Sequence, residues 1–120
     1  AKSDEFGDIE PARENERLAA AAAVLGQVED QLYILAYAGR TTPRGHAATA
    51  LRRMRAQLMA SGLDAGRIIL VDGGFREEAA YELWTVPRGA EPPKPTPTVD
   101  RRQIVFPKTI VTPTKRPAKP

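Results

Sequence analysis

The chain has 120 residues, which is enough for one domain, and 42% hydrophobic with 28% charged residues is ordinary for a globular fold. It has no cysteine, which excludes disulfides and thiolate metal sites. The net charge of +3 conceals a body and a tail of opposite sign. Residues 1–87 carry 10 Lys and Arg against 13 Asp and Glu, and residues 88–120 carry 8 against 2. An acidic body is a poor platform for nucleic acid, whereas a basic tail suits an acidic partner or an anionic surface.

The chain has no stretch of the ~20 apolar residues that span a bilayer, so we expect no transmembrane segment. It begins at Ala1, with neither a methionine nor an apolar leader core. This start is consistent with a mature product after signal-peptide cleavage, and equally with a shortened chain.

Two segments have the apolar spacing of amphipathic helices. Residues 11–25 open on a proline, which fits the first turn of a helix, and continue through good helix formers. Residues 46–61 are the clearest helix, because Leu51, Met54 and Leu58 recur on one face.

Three short runs are predicted as strands, at residues 31–37, 67–71 and 80–86, and a short edge strand is expected near Phe6. The first run is apolar on both alternations, which is typical of a central strand covered on both faces. The last run places Glu82, Trp84 and Val86 on the face opposite Tyr81 and Leu83. A crossover through the second helix must join the first two strands.

These elements predict an α/β (α+β) two-layer sandwich, with two helices packed on a mixed sheet of about 3–4 strands and an extended C-terminal tail. Asp72-Gly73-Gly74 is a turn signal, so the last two strands are expected to form a hairpin across residues 72–78. We place an α/β domain at residues 1–88 and a proline-rich basic tail at residues 89–120.

Eight of the 11 prolines lie from position 92 onward, and they predict a semi-rigid polyproline II spacer at residues 92–97. Residues 103–112 then form a β-prone segment, which lies within the sequence RQIVFPKTIVT of residues 102–112. Such a segment is unusual for a solvated tail. The prolines at 107 and 113 restrict it to edge pairing or short pieces. The residues expected to contact a partner are Ile104, Val105, Phe106, Ile110 and Val111.

The sequence shows no catalytic constellation, and we expect no enzyme activity, no cofactor and no metal site. The only histidine, His46, is interpreted as a solvent-facing or capping residue. Glu77, Glu78 and Glu82 are interpreted as solvated charge. Trp84 is interpreted as a packing residue, with a partner anchor as the alternative.

Several motifs together resemble a known family. They are LYILAYAG followed by a loop, a helix with Leu51 and Arg55-Ala56-Gln57, and Ser61-Gly62-Leu63-Asp64-Ala65 leading into Arg67-Ile68. Over residues 31–86 the chain resembles the OmpA-like family of peptidoglycan-associated domains. Tyr-Ala-Gly-Arg, Asp-Gly-Gly-Phe-Arg-Glu-Glu, Glu-Leu-Trp-Thr-Val-Pro and the proline-rich stretch also resemble a group of uncharacterised exported bacterial proteins related to that fold.

The resemblance implies a peptidoglycan ligand held by a loop aspartate and a strand arginine. Here those positions fall near Ala38 or Gly39 and near Ala79 or Ala80, so the peptidoglycan site is not carried over. The nearby Arg40, Arg44 and Arg76 are instead candidates for binding a different anionic ligand.

The leading hypothesis is a structural or assembly protein of the cell envelope or exterior, exported to the periplasm, outer envelope or medium. Its tail would add a strand to an exposed sheet edge, in its own domain or in a neighbour, and identical neighbours would give a filament. The alternatives are a module that binds peptidoglycan or anionic polymer through a non-standard site, and an accessory subunit of a larger membrane complex.

Overall fold

In a computed structural model, which describes residues 1–26 and 28–104, two helices pack on one face of a four-stranded mixed sheet. The α+β fold predicted from the sequence is therefore confirmed. The elements in chain order are β1 (Lys2–Phe6), α1 (Pro11–Leu25), β2 (Gln31–Ala38), α2 (His46–Ala60), β3 (Ile68–Phe75) and β4 (Ala80–Val86). Short 3-10 turns occupy Ala65–Arg67 and Arg101–Gln103.

The strand order is β1-β4-β2-β3, with β3 parallel to β2 and β4 antiparallel to both β2 and β1. The expected hairpin of the last two strands is wrong, because β3 and β4 lie on opposite sides of β2. The physical reason is the composition of β2. Seven of its eight residues are buried, and the centre of the sheet is the place that covers such a strand on all sides.

The Asp72-Gly73-Gly74 stretch does not form the expected turn but continues β3. Ala36 pairs with Asp72 and Tyr37 with Gly74, so Gly73 is the extra residue of a bulge. A Cβ at Gly73 would lie 2.6 Å from Cε1 of Tyr37, and Gly74 has a φ of 100°. Gly73 is therefore needed because the Tyr37 ring lies against the backbone, and Gly74 is needed because its backbone is in the left-handed region.

The helix-covered face holds the main core. Met54 and Leu58 from α2 are fully buried there, and Leu51 nearly so, as the predicted stripe required. They pack with Leu18 and Leu25 of α1 and with one alternation of the strands. Neither helix in the described part of the chain is long and apolar enough to cross a membrane.

The opposite face of the sheet, here called the outer face, carries a second apolar cluster. It contains the buried Tyr33, Leu35, Tyr37 and Val86, with Trp84 packed beside them. Leu35 and Tyr37 have no exposed surface although both helices lie on the other side. The outer face is where the chain returns after β4.

Candidate functional site

The segment after β4 packs back on the sheet within the described residues. The Thr96 N–H donates to the Tyr37 hydroxyl at 3.0 Å on the outer face. Val99 is 6% exposed and forms an antiparallel bridge with Phe75 at the end of β3. The N–H groups of Thr98 and Val99 both donate to the Phe75 carbonyl, at 2.9 and 3.1 Å. The first part of the predicted tail thus reaches the β3 edge of its own domain.

Arg76, the residue after β3, holds this returning segment. Its Nη2 donates to Oε2 of Glu82 at 2.9 Å and to the Thr96 hydroxyl at 2.6 Å, and its Nη1 donates to Oε2 of Glu5 at 3.0 Å. Its guanidinium carbon lies 3.7 Å from the ring centroid of Tyr37, in cation–π contact. We name Tyr37, Arg76, Glu82 and Thr96 the Arg76 latch, because together they fasten the returning chain to the outer face.

Glu82 is 3% exposed, so the interpretation of this carboxylate as solvated charge is wrong. Its Oε1 accepts from the Tyr37 hydroxyl at 3.0 Å and from Nε1 of Trp84 at 3.1 Å. These donors and Arg76 satisfy a charge that would otherwise be costly to bury. The sequence offered one local signal, because Glu82 alternates with Trp84 and Val86 on one face of its strand, and both of these residues belong to the outer apolar cluster.

The candidate anion-binding residues Arg40 and Arg76 each contact carboxylates of this chain. Arg76 pairs with Glu82 and Glu5. Arg40 makes a two-pronged contact with Glu77 at 2.6 and 3.0 Å, and the hydrogen bond from Arg40 lowers the pKa of the Glu77 carboxyl. Arg44 lies elsewhere, in the wall of a cleft.

This cleft, of about 630 Å³, opens at the carboxyl ends of the parallel strands β2 and β3. Arg44 and His46 line it from the start of α2, and Asp72 lines it from the bulge. The returning segment supplies the remaining wall through Val99 and Arg101. A ligand held there would touch both the domain and the tail.

A cluster that sequence reasoning missed lies beside the cleft. The Tyr81 hydroxyl donates to Oδ1 of Asp8 at 2.7 Å and lies 3.2 Å from Nε2 of His46. Burial, followed by the hydrogen bond to Asp8, raises the pKa of Tyr81 well above its usual range. A phenol held in its protonated form is suited to fastening the β1–α1 connection to α2 rather than to accepting a proton. No local spacing reveals this contact, because its three residues come from distant parts of the chain.

The predicted partner-binding tail is only partly described. Ile104 is half-buried and follows the 3-10 turn at Arg101–Gln103. Val105, Phe106, Ile110 and Val111 lie outside the described residues. Within residues 1–26 and 28–104, no group of three His, Cys, Asp or Glu side chains could hold a metal ion.

The two edges of the sheet differ in chemistry. On β1, Lys2 and Asp4 flank a bulge, and Lys2 forms an ion pair with Glu5 at 2.7 Å that lowers the pKa of the Glu5 carboxyl. On β3, residues 68–71 read Ile-Ile-Leu-Val, with no charge and no proline. Beyond Val99 at its far end, the described residues place no strand against this edge. Residues 68–71 are hereafter called the open edge.

Searches against protein-family models and against curated proteins found no match for this chain.

Proposed function

We propose that this protein is a non-catalytic structural or assembly protein of the bacterial cell envelope or exterior, which associates through its C-terminal tail by strand addition. Identical subunits or a larger envelope assembly are the partners, and head-to-tail contact between identical subunits would build a filament. The envelope setting rests on the resemblance to OmpA-like and exported proteins. The mode of association rests on the sheet edge and the tail.

One observation carries the proposal: the chain itself brings its tail to an edge strand whose first four residues, 68–71, carry no charge. The bridge between Val99 and Phe75 already adds one antiparallel contact to β3. Natural proteins block such edges with charges, prolines or bulges, since unpaired N–H and C=O groups pair readily with another strand. The open edge has no such block, while the segment 103–112 supplies β formers a few residues later.

The proposal is tested by Ile110→Pro, with Ile110→Val as the matched control, in the full-length protein. Proline removes a ladder N–H in the middle of the five-residue run between Pro107 and Pro113, whereas valine keeps the β propensity. Multi-angle light scattering should show assemblies for the native chain and for Ile110→Val, and monomers for Ile110→Pro. A proline variant that assembles like the native chain contradicts the proposal.

A second candidate function is favoured by the cleft. Arg44 and Arg101 line it together with the start of α2, where backbone N–H groups favour anions, and Asp72 and Asp100 make the rest of its charged lining acidic. A carboxylate or phosphate of an envelope polymer would fit this chemistry. Sedimentation with isolated peptidoglycan at low salt tests it: retention lost in Arg44→Gln but kept in Arg40→Gln supports binding in the cleft, and no retention of the native chain rejects it.

A further inference from the structure

Resting on the proposed function, we infer that the strand acceptor is the open edge of β3, and that its occupant is residues 104–112 of a second copy of this chain. Strand addition alone leaves both the surface and the partner open. Three features of the molecule identify them: the point where the chain's own tail stops pairing, the length and charge of the tail beyond that point, and the contrast between the two edges.

The chain's own ladder against β3 ends after a single bridge. Directly after Val99 the chain coils into the 3-10 turn at Arg101–Gln103. Asp100 closes this turn at both sides, because its side chain accepts the Arg102 N–H at 2.9 Å and its own N–H donates to Oε1 of Gln103 at 2.9 Å. A capped turn leads the chain out of register with β3, and the open edge is left without a partner from the described part of the chain.

The chain beyond Ile104 has the length to leave its own domain. The donor run ends at Thr112, eight residues after Ile104, and an extended strand rises about 3.3 Å per residue, so this stretch can span on the order of 25 Å. The run Lys108–Thr112 between two prolines has five residues, and the open edge has four. Donor and acceptor are therefore of similar length.

The charges favour a contact between a basic tail and an acidic body. Each body carries three more acidic than basic side chains, and each tail six more basic than acidic ones. Asp72, which is exposed, directly follows the open edge, whereas Lys108 lies in the donor run. Opposite charges steer one copy's tail toward another copy's body, and this attraction weakens with salt.

The other edge is unsuited to the same contact. Charged side chains and a bulge interrupt β1, and Glu5 on it is engaged by both Lys2 and Arg76. A strand added there would meet charges and an irregular ladder. β1 therefore provides the matched control for the experiment.

The absence of native cysteine allows a clean test by cross-linking in the full chain. A tagged Val71→Cys chain is mixed with an untagged Thr109→Cys chain and treated with a short bismaleimide, and a tagged Ser3→Cys chain serves as the control on β1. We expect a cross-linked pair of one tagged and one untagged chain, at least about tenfold more abundant for Val71→Cys than for Ser3→Cys.

Equal yields from the two edges overturn the inference. So does a Val71→Cys/Thr109→Cys double variant that cross-links within one chain with a yield unaffected by dilution, because the tail would then occupy its own edge. Light scattering on the same samples separates the two proposals. If the native chain assembles but Val71→Cys gives no cross-link, the β3 acceptor is wrong and tail-mediated assembly stands; if the native chain is monomeric, both are wrong.

Discussion

The two edges of the sheet differ in how their unpaired backbone N–H and C=O groups are protected from pairing with another strand. β1 is short, charged and bulged, and Arg17 also ties its Asp4 to α1 at 2.6 Å. β3 has no charge over residues 68–71, and its own bulge and Asp72 lie toward the end where, among the described residues, Val99 and the returning segment pack. An edge strand interrupted by charges and a bulge disfavours pairing with another strand. An edge strand covered only at one end can still accept a strand along its uncovered part. This difference is the reason that we propose β3 as the site of association.

The largest expected effect comes from breaking the Arg76 latch, which joins the β3 end of the sheet to Glu5 on β1. Arg76→Met removes the nearer of the two cations beside the buried Glu82 carboxylate and leaves only Lys2, whose Nζ lies 3.7 Å away and is partly exposed, so we expect a loss of about 3 kcal/mol in the free energy of unfolding. Urea titration followed by circular dichroism measures it. Arg40→Met, which breaks an exposed pair, is the control and should change little. An equal loss in both variants contradicts the latch.

The bulge at the covered end of β3 is the next test. Gly73→Ala places a methyl group 2.6 Å from a carbon of the Tyr37 ring, so we expect a loss of about 1–3 kcal/mol from overpacking. In Gly66→Ala the nearest atom, Oδ2 of Asp64, lies at 3.6 Å, an ordinary contact. Denaturant midpoints of the two variants should therefore differ clearly, and matching midpoints would show that the ring can move aside.

A direct test of the edge comparison adds one charge to each edge. Val71→Lys should weaken assembly by at least about tenfold, or about 1.4 kcal/mol, because a lysine on an edge strand opposes pairing. Ser3→Lys adds the same charge to β1 and should leave assembly unchanged. Concentration-dependent light scattering measures both variants. Loss of assembly in Ser3→Lys would show that the interface includes β1, which contradicts the proposal.

The smallest expected effect is a pH dependence at Tyr81, near the start of β4 between the two edges. Its folded pKa is raised above the unfolded value of about 10, so the unfolded chain loses this proton first, and stability falls as pH rises above 10. Tyr81→Phe should cost about 1 kcal/mol at pH 7. This cost should shrink toward zero by about pH 11, because the variant has no phenol to titrate. Urea titrations at both pH values measure it, and a constant difference contradicts the assignment.

Much of the fold was predictable because its determinants are local. Helix α1 and strand β4 occupy the predicted residues 11–25 and 80–86, and α2 begins at the predicted His46. Apolar periodicity and a helix-opening proline need only neighbouring residues. Because β3 and β4 are consecutive in the chain, the sequence suggested that they form a hairpin. In the structure the strongly buried β2 lies between them, so β3 pairs with β2 instead.

The site was less predictable, because its contacts join distant residues. Nothing local to Tyr37 indicates that Arg76 will lie on its ring or that Thr96 will donate to its hydroxyl. A Gly-Gly pair shows that the backbone needs freedom, but not whether a turn or a neighbouring ring requires it. For Glu82, the alternation with Trp84 and Val86 was a local signal of burial, but the neighbouring strand β2 was not predicted as its partner.

The position of Arg76 also makes the two ends of the domain thermodynamically linked. One guanidinium bonds Glu5 in the first strand and Thr96 in the returning segment, so either contact helps to hold the arginine in place for the other. Any event that draws the segment off the outer face would loosen β1 as well. The backbone amides of Lys2–Phe6, some 90 residues earlier in the chain, would then exchange hydrogen faster and report the state of the tail.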